Sequence, residues 1–165
     1  MSWWAHLGAL ATAFLIQVTV APGIGSAGTR PDFILVWIIC AAILERKDNM
    51  AIFAAAVGGA FVDLTVGRFL GLNLALFIAA EIVARNTMSA FMRPSAIMTA
   101  MISFSSALII ELLRGAAWLY GGNFGADARG ILTVGITSAA ATTVLTVILY
   151  YILLSAGFGH KYEKS

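Results

Sequence analysis

The sequence predicts an all-α integral membrane protein, a compact bundle of six transmembrane helices, or five if the second apolar segment does not span. Two observations carry this. Of the 165 residues 61% are hydrophobic and only 11% charged, with a mean hydropathy of +0.93. Soluble domains carry about 25% charged residues, so a surface made from this composition has to face lipid over most of its area. The hydrophobic residues are also gathered into six runs separated by Gly, Pro and charge, and a helix needs about 20 apolar residues to cross a bilayer. The length suits one bundle, residues 1–165 forming a single transmembrane domain.

The first run is Trp3 to Val20. No basic stretch precedes it, so it is expected to remain as the first helix rather than be removed as a signal peptide. Pro22, Gly23, Gly25, Ser26 and Gly28 mark a loop. Pro31 then stands at the N1 position of the second helix, Pro31 to Leu44, where its missing N–H costs nothing. The polar turn Glu45 to Asn49 leads to the third run, Met50 to Val66, and Gly67 and Gly71 punctuate the step to the fourth, Leu70 to Ala84. A link from Arg85 to Pro94 precedes the fifth, Ala96 to Tyr120, and a longer one from Gly121 to Gly130 precedes the sixth, Ile131 to Phe158. The second and fourth runs are short, but Arg46, Lys47 and Arg85 can extend their stems and snorkel to the headgroups.

Basic residues set the expected orientation. With six spans and the N-terminus inside, the cytoplasmic segments carry Arg46, Lys47, Arg85, Arg93, Lys161 and Lys164, and the opposite loops Arg30 and Arg129. This bias places both termini in the cytoplasm of a multi-pass inner-membrane protein. The net charge of +2 is scattered, which offers no basic face for nucleic acid. Cys40, the single cysteine, sits within an apolar run and is read as a small core residue. Trp3, Trp4, Trp118, Tyr120, Tyr150, Tyr151 and Tyr162 fall mostly near helix ends and are read as interfacial anchors.

Ionisable residues inside spans cost about 2.5–3.5 kcal/mol each on insertion scales, so each calls for a reason. Glu81 precedes Arg85 by four residues, and Glu111 precedes Arg114 by three, both pairing distances on one helical face. Asp63 has two open solutions: an ion pair with Arg68 across the turn, or N–H bonds from the start of the fourth helix near Asn73. Local pairing is preferred to a proton or ion relay through Asp63, Glu81 and Glu111. Small residues mark two packing helices. Ala5, Ala9 and Ala13 form a small-xxx-small stripe on the first, a candidate partner contact. Ala54, Ala55, Ala56, Gly58, Gly59 and Ala60 mark the third as a helix near the bundle centre. No P-loop, HExxH, CxxC or GxSxG occurs, and His6 and His160 stand alone. No enzyme activity, cofactor or metal site is therefore expected.

From Arg30 to Arg85 the sequence resembles the rod shape-determining protein MreD family. The matching stretches are RPDFILVWIICAAILERKD, an Arg-Pro-Asp lead-in to a short apolar helix and a charged turn, and GGAFVDLTVGRFLGLNLALFIAAEIVAR. In the second, Gly59, Asp63, Gly67, Gly71 and Leu72 follow the family's Gly…Asp…Gly…Leu-Gly pattern; Pro31, Asp32, Arg68 and Asn73 complete the candidate structural set. The resemblance implies a non-enzymatic inner-membrane subunit of the machinery that elongates the rod-shaped cell wall. It binds MreC directly and connects through it to MreB, RodA and a penicillin-binding protein. It also implies a fold similar to the substrate-binding components of energy-coupling-factor vitamin transporters. Such a component is the alternative reading, because Ala5, Ala9 and Ala13 fit the alanine stripe with which it docks its motor. An intramembrane enzyme is a third, which needs converging acid, base or metal ligands.

Overall fold

A computed structural model describes residues 3–20, 23, 30–44, 50–65, 70–89, 95–120 and 128–157. Six helices account for nearly all of them: α1 Trp3–Thr19, α2 Phe33–Leu44, α3 Met50–Thr65, α4 Leu72–Ser89, α5 Ala96–Tyr120 and α6 Ala128–Ser155. Two of these, α5 and α6, are long and apolar enough to cross a bilayer; their 25 and 28 residues reach about 37 and 42 Å at 1.5 Å per residue.

The boundaries follow from caps more than from hydropathy. Asp32 Oδ1 accepts the Leu35 N–H at 3.1 Å, the bond of an N-cap residue to N3. That geometry needs Asp32 outside the helix, so Pro31 lies one residue before the cap and not at N1 as its identity suggests. Ser95 caps α5 in the same way, its Oγ taking the Met98 N–H at 3.2 Å. The expected link after Ala84 is also displaced: α4 continues through Arg85 to Ser89, with Ala84 and Met88 buried on its inner face.

The bundle centre is α2. Every residue from Ile34 to Leu44 is buried, and the helix touches all five others. The small residues of α3 do a different job from the one expected. They give it one close-packing face, with Ala51, Ala54, Ala55, Gly58 and Gly59 buried, while Phe53, Phe61 and Leu64 point outward. A Cβ on Gly58 would lie 2.8 Å from Ile34 Cγ2 of the central helix, and one on Gly59 would lie 2.4 Å from Leu74 Cα. At Gly59 the backbones of α3 and α4 therefore touch, a contact only glycine permits. In the α5–α6 pair, the largest interface, a glycine instead makes room for a side chain: a Cβ on Gly115 would meet Ile131 Cγ2 at 2.4 Å. Ser103 Oγ donates to Thr146 Oγ1 across it at 2.9 Å.

Cys40 is fully buried, its thiol donating to the Thr146 carbonyl at 3.5 Å. Tyr150, expected as an interfacial anchor, is a core residue instead, whereas Trp4, Trp118 and Tyr120 are exposed at helix ends. The outside of the bundle is apolar: Leu15, Ile97, Met101, Ile109, Leu132, Val144 and Ile148 are all among its exposed side chains.

Candidate functional site

One end of the bundle is held by a buried polar network to which every helix or its immediate flank contributes. Gln17, near the end of α1, takes the Phe33 N–H at the start of α2 on its Oε1 at 2.8 Å. Asp63 lies near the end of α3, and Asn73 at the start of α4. Arg114 stands in the last third of α5, and Ser138 and Thr142 near the middle of α6. Alternate helices reach the network from opposite termini, so consecutive helices run antiparallel.

Asp63 is the cap of a helix that cannot cap itself. Gly71 precedes α4 with a φ of +92° and has no side chain to accept an N–H. Asp63 supplies the acceptors from α3: Oδ2 takes the Gly71 and Leu74 N–H groups, both at 3.0 Å. Its Oδ1 takes the Asn73 N–H at 3.0 Å and the Asn73 Nδ2 at 2.9 Å. Four of its lone-pair directions are thus used, three by the orphan donors of one helix terminus, where a negative charge also opposes the positive end of the helix dipole. The close approach at Gly59, one turn before Asp63, brings the carboxylate within reach.

Asn73 passes the connection on. Its Oδ1 accepts Arg114 Nε at 2.7 Å, and the bond to Asp63 on its other side fixes which end of the amide is oxygen. Arg114 Nη1 then reaches Asp32 Oδ2 at 3.0 Å and Glu111 Oε1 at 3.1 Å, and its guanidinium lies 5.4 Å from the centre of the Phe77 ring, cation–π distance. A planar fork with donors on several sides suits this post; a lysine ammonium would not span it. The segment leading into α2 is held to α6 by two further bonds. Thr142 Oγ1 accepts the Asp32 N–H at 3.0 Å, and Ser138 Oγ donates to the Arg30 carbonyl at 2.8 Å.

Beside the network is a cavity of about 720 Å³ lined by Gln17, Arg30, Asp32, Glu111, Arg114, Trp118, Val134 and Ser138. Away from it, Glu81 is fully buried and pairs with Arg85 on the next turn of α4, the spacing read from sequence. His6, also buried, meets the Trp37 ring edge-on at 5.8 Å between centroids.

Of the sequence-derived set, Asp32, Gly59, Asp63, Gly71 and Asn73 converge here, with Pro31 buried beside Asp32. Gly67 and Arg68 lie outside the described residues. The local Glu111–Arg114 pair is present, but Arg114 also binds Asp32 and Asn73 from two other elements, and sequence spacing gave no sign of these partners. The available signal was the arginine itself, an ionisable residue inside an apolar run. Ala5, Ala9 and Ala13 border the inward side of α1. Ala13 is in the core, Ala9 packs against it, and Ala5 is half-buried.

Fold and site together define a class: an apolar six-helix bundle whose one end is locked by a partly buried ion network. No family model, curated protein or solved structure matches the chain.

Proposed function

We propose that this chain is a multi-pass protein of the bacterial inner membrane, both termini cytoplasmic, acting as a non-enzymatic MreD-type subunit of the cell-elongation machinery. The membrane part rests on the apolar exterior, on the two long helices and on a charge content too low to solvate a surface of that size. It also accounts for the short α2. Twelve residues reach only about 18 Å, but a helix surrounded by others meets no lipid and needs no matching length.

The observation that carries the functional reading is the convergence of the family-like residues. Asp32, Gly59, Asp63, Gly71 and Asn73 come from three separate stretches of chain and meet in one network with Arg114. Their chemistry there is structural. The Asp63 carboxylate spends its acceptors on a helix terminus, and Arg114 binds two carboxylates and an amide. An ion carrier needs groups that exchange partners, whereas this arrangement supports a rigid subunit that presents a fixed face to another protein. In the membrane that partner is MreC, with MreB, RodA and the penicillin-binding protein reached through it. Association in lipid gains nothing from leaving water and depends on close backbone approach and satisfied polar contacts.

Co-expression with MreC is expected to give a complex that survives detergent extraction and size exclusion, and depletion in a rod-shaped host is expected to give rounded cells. Normal rods after deletion, together with loss of vitamin uptake, establish the transporter component instead.

A further inference from the structure

The network leaves polar atoms unused where it borders the cavity. Gln17 spends its oxygen on the Phe33 N–H, which leaves its amide nitrogen as a donor. Arg114 uses Nε and Nη1, and its Nη2 remains. The Arg30 guanidinium, at the exposed rim, makes no ion pair or hydrogen bond among the described residues, although the Arg30 carbonyl is anchored to Ser138. The Trp118 indole N–H and Glu111 Oε2 are similarly without partners there.

Two guanidiniums and two carboxylates line this space, so their charges balance and a ligand of net charge would find no excess to meet. The surplus is of both kinds: donors from exposed Arg30 and Trp118 and half-buried Gln17, and an acceptor from half-buried Glu111. That pattern matches a ligand with an anionic group beside a cationic one. Arginine forks suit phosphate, and Glu111 suits an ammonium. The walls point to where the ligand comes from. Helix α1 packs on α2 and α3 and shares no extended interface with α5 or α6, yet its Gln17 lines the cavity together with Trp118 of α5 and Val134 of α6. The flanking stretches of α1 and α6 expose Leu15, Val18, Leu132 and Ile136, and the exposed indole of Trp118 is a side chain suited to headgroup depth.

We infer that this cavity binds the phosphoethanolamine headgroup of a zwitterionic phospholipid, its phosphate at Arg30, Gln17 and Trp118 and its ammonium at Glu111, the acyl chains lying on α1 and α6. The inference rests on the membrane reading given above. The cavity volume is within the ~300–1,000 Å³ of small-ligand sites.

The test uses the full chain purified in mild detergent, titrated in native mass spectrometry with phosphatidylethanolamine, phosphatidylglycerol and diacylglycerol of identical chains. Soluble phosphoethanolamine is added in a parallel thermal-shift assay. Phosphatidylethanolamine is expected to bind about tenfold more tightly than either other lipid, the scale of one charge-assisted contact. Arg30→Gln, whose side chain makes no ion pair or hydrogen bond among the described residues, is expected to lower that binding about tenfold. Glu111→Gln is expected to move the preference towards phosphatidylglycerol. Equal binding of the three lipids, a preference for phosphatidylglycerol in the parent protein, or an Arg30→Gln variant indistinguishable from it overturns the proposal. Soluble phosphoethanolamine binding as tightly as the lipid overturns the lipid source. Release of the chain from membranes by alkaline carbonate sinks the membrane reading itself, whereas retention without headgroup preference sinks only the cavity assignment.

Discussion

Replacing Asp63 by Asn tests the central element of the network while changing almost no volume. The carboxylate offers two acceptor oxygens and receives four hydrogen bonds, two on each. An amide offers one oxygen and one NH₂, so in either orientation two bonds are lost and a donor faces donors. If the NH₂ replaces Oδ2, it confronts the N–H groups of Gly71 and Leu74; if it replaces Oδ1, both donors of Asn73. A buried donor left unmatched costs about 1–3 kcal/mol, but Gly71 is exposed and its N–H can turn to water. The expected loss is therefore about 2–4 kcal/mol, or a fall in melting temperature of roughly 5–15 °C for a chain of this size. Cys40 provides the assay. It is the single cysteine and is fully buried, so its reaction with a maleimide in mild detergent reports unfolding as temperature rises. A double-mutant cycle with Asn73→Ala is expected to show coupling above ~0.5 kcal/mol. An Asp63→Asn variant melting with the parent protein would refute the capping argument. Coupling to Arg68→Gln in place of Asn73→Ala would restore the ion pair across the turn.

Three other outcomes follow from the same geometry. Gly59→Ala sets a methyl against the Leu74 backbone and is expected to cost about 1–3 kcal/mol or more. Gly8→Ala, helical, exposed and with open space around it, is expected to be neutral or to stabilise by about 0.5–1 kcal/mol in the same melting assay; similar losses in both would remove the backbone-contact explanation. Arg114→Gln leaves Asp32 and Glu111 facing each other and is expected to cost about 3–5 kcal/mol, with Arg114→Lys recovering little because one ammonium nitrogen cannot stand at both the Nε position that meets Asn73 and the Nη1 position that meets the carboxylates; full rescue by Lys would reduce the network to simple charge balance. In a Cys40→Ala background, single cysteines at Ser26 and Gly122 are expected to label with an impermeant thiol reagent once the outer barrier is opened, and those at Ser89 and Ser165 to stay unlabelled; the reverse pattern inverts the orientation.

Much of the fold was legible because it depends on properties local to the chain. Ala96 to Tyr120 was readable to the residue as α5, and the ends of the other helices within three positions except for α4, which runs on past Ala84 to Ser89, since apolar runs and Gly or Pro punctuation bear directly on backbone conformation. Glu81–Arg85 and Glu111–Arg114 were legible for the same reason: three and four residues apart is a fixed distance on a helix. Asp63 was identifiable as a residue in need of a partner, but not which of two partners it takes.

What only the tertiary structure decided is the arrangement between helices. Hydropathy separates soluble from inward-facing surface when water is outside. In a chain where Leu15 and Ile109 are exposed, and Ile38 and Ile39 buried, with no difference in character, it carries no such information. Position in the bundle passes to fit, so α2 took the centre and the small residues of α3 became a contact face. Long-range polar partners were hidden for a related reason. Arg114 meets Asp32 across 82 residues of sequence, and no periodicity encodes that distance; it exists because α3 and α4 touch at Gly59, and α5 lies where Asn73 and Asp32 can both be reached. The sequence by itself determined that the chain forms six apolar helices and which of their charges needed an answer. Packing, which acts between elements and leaves little trace within any one of them, decided what the answer was.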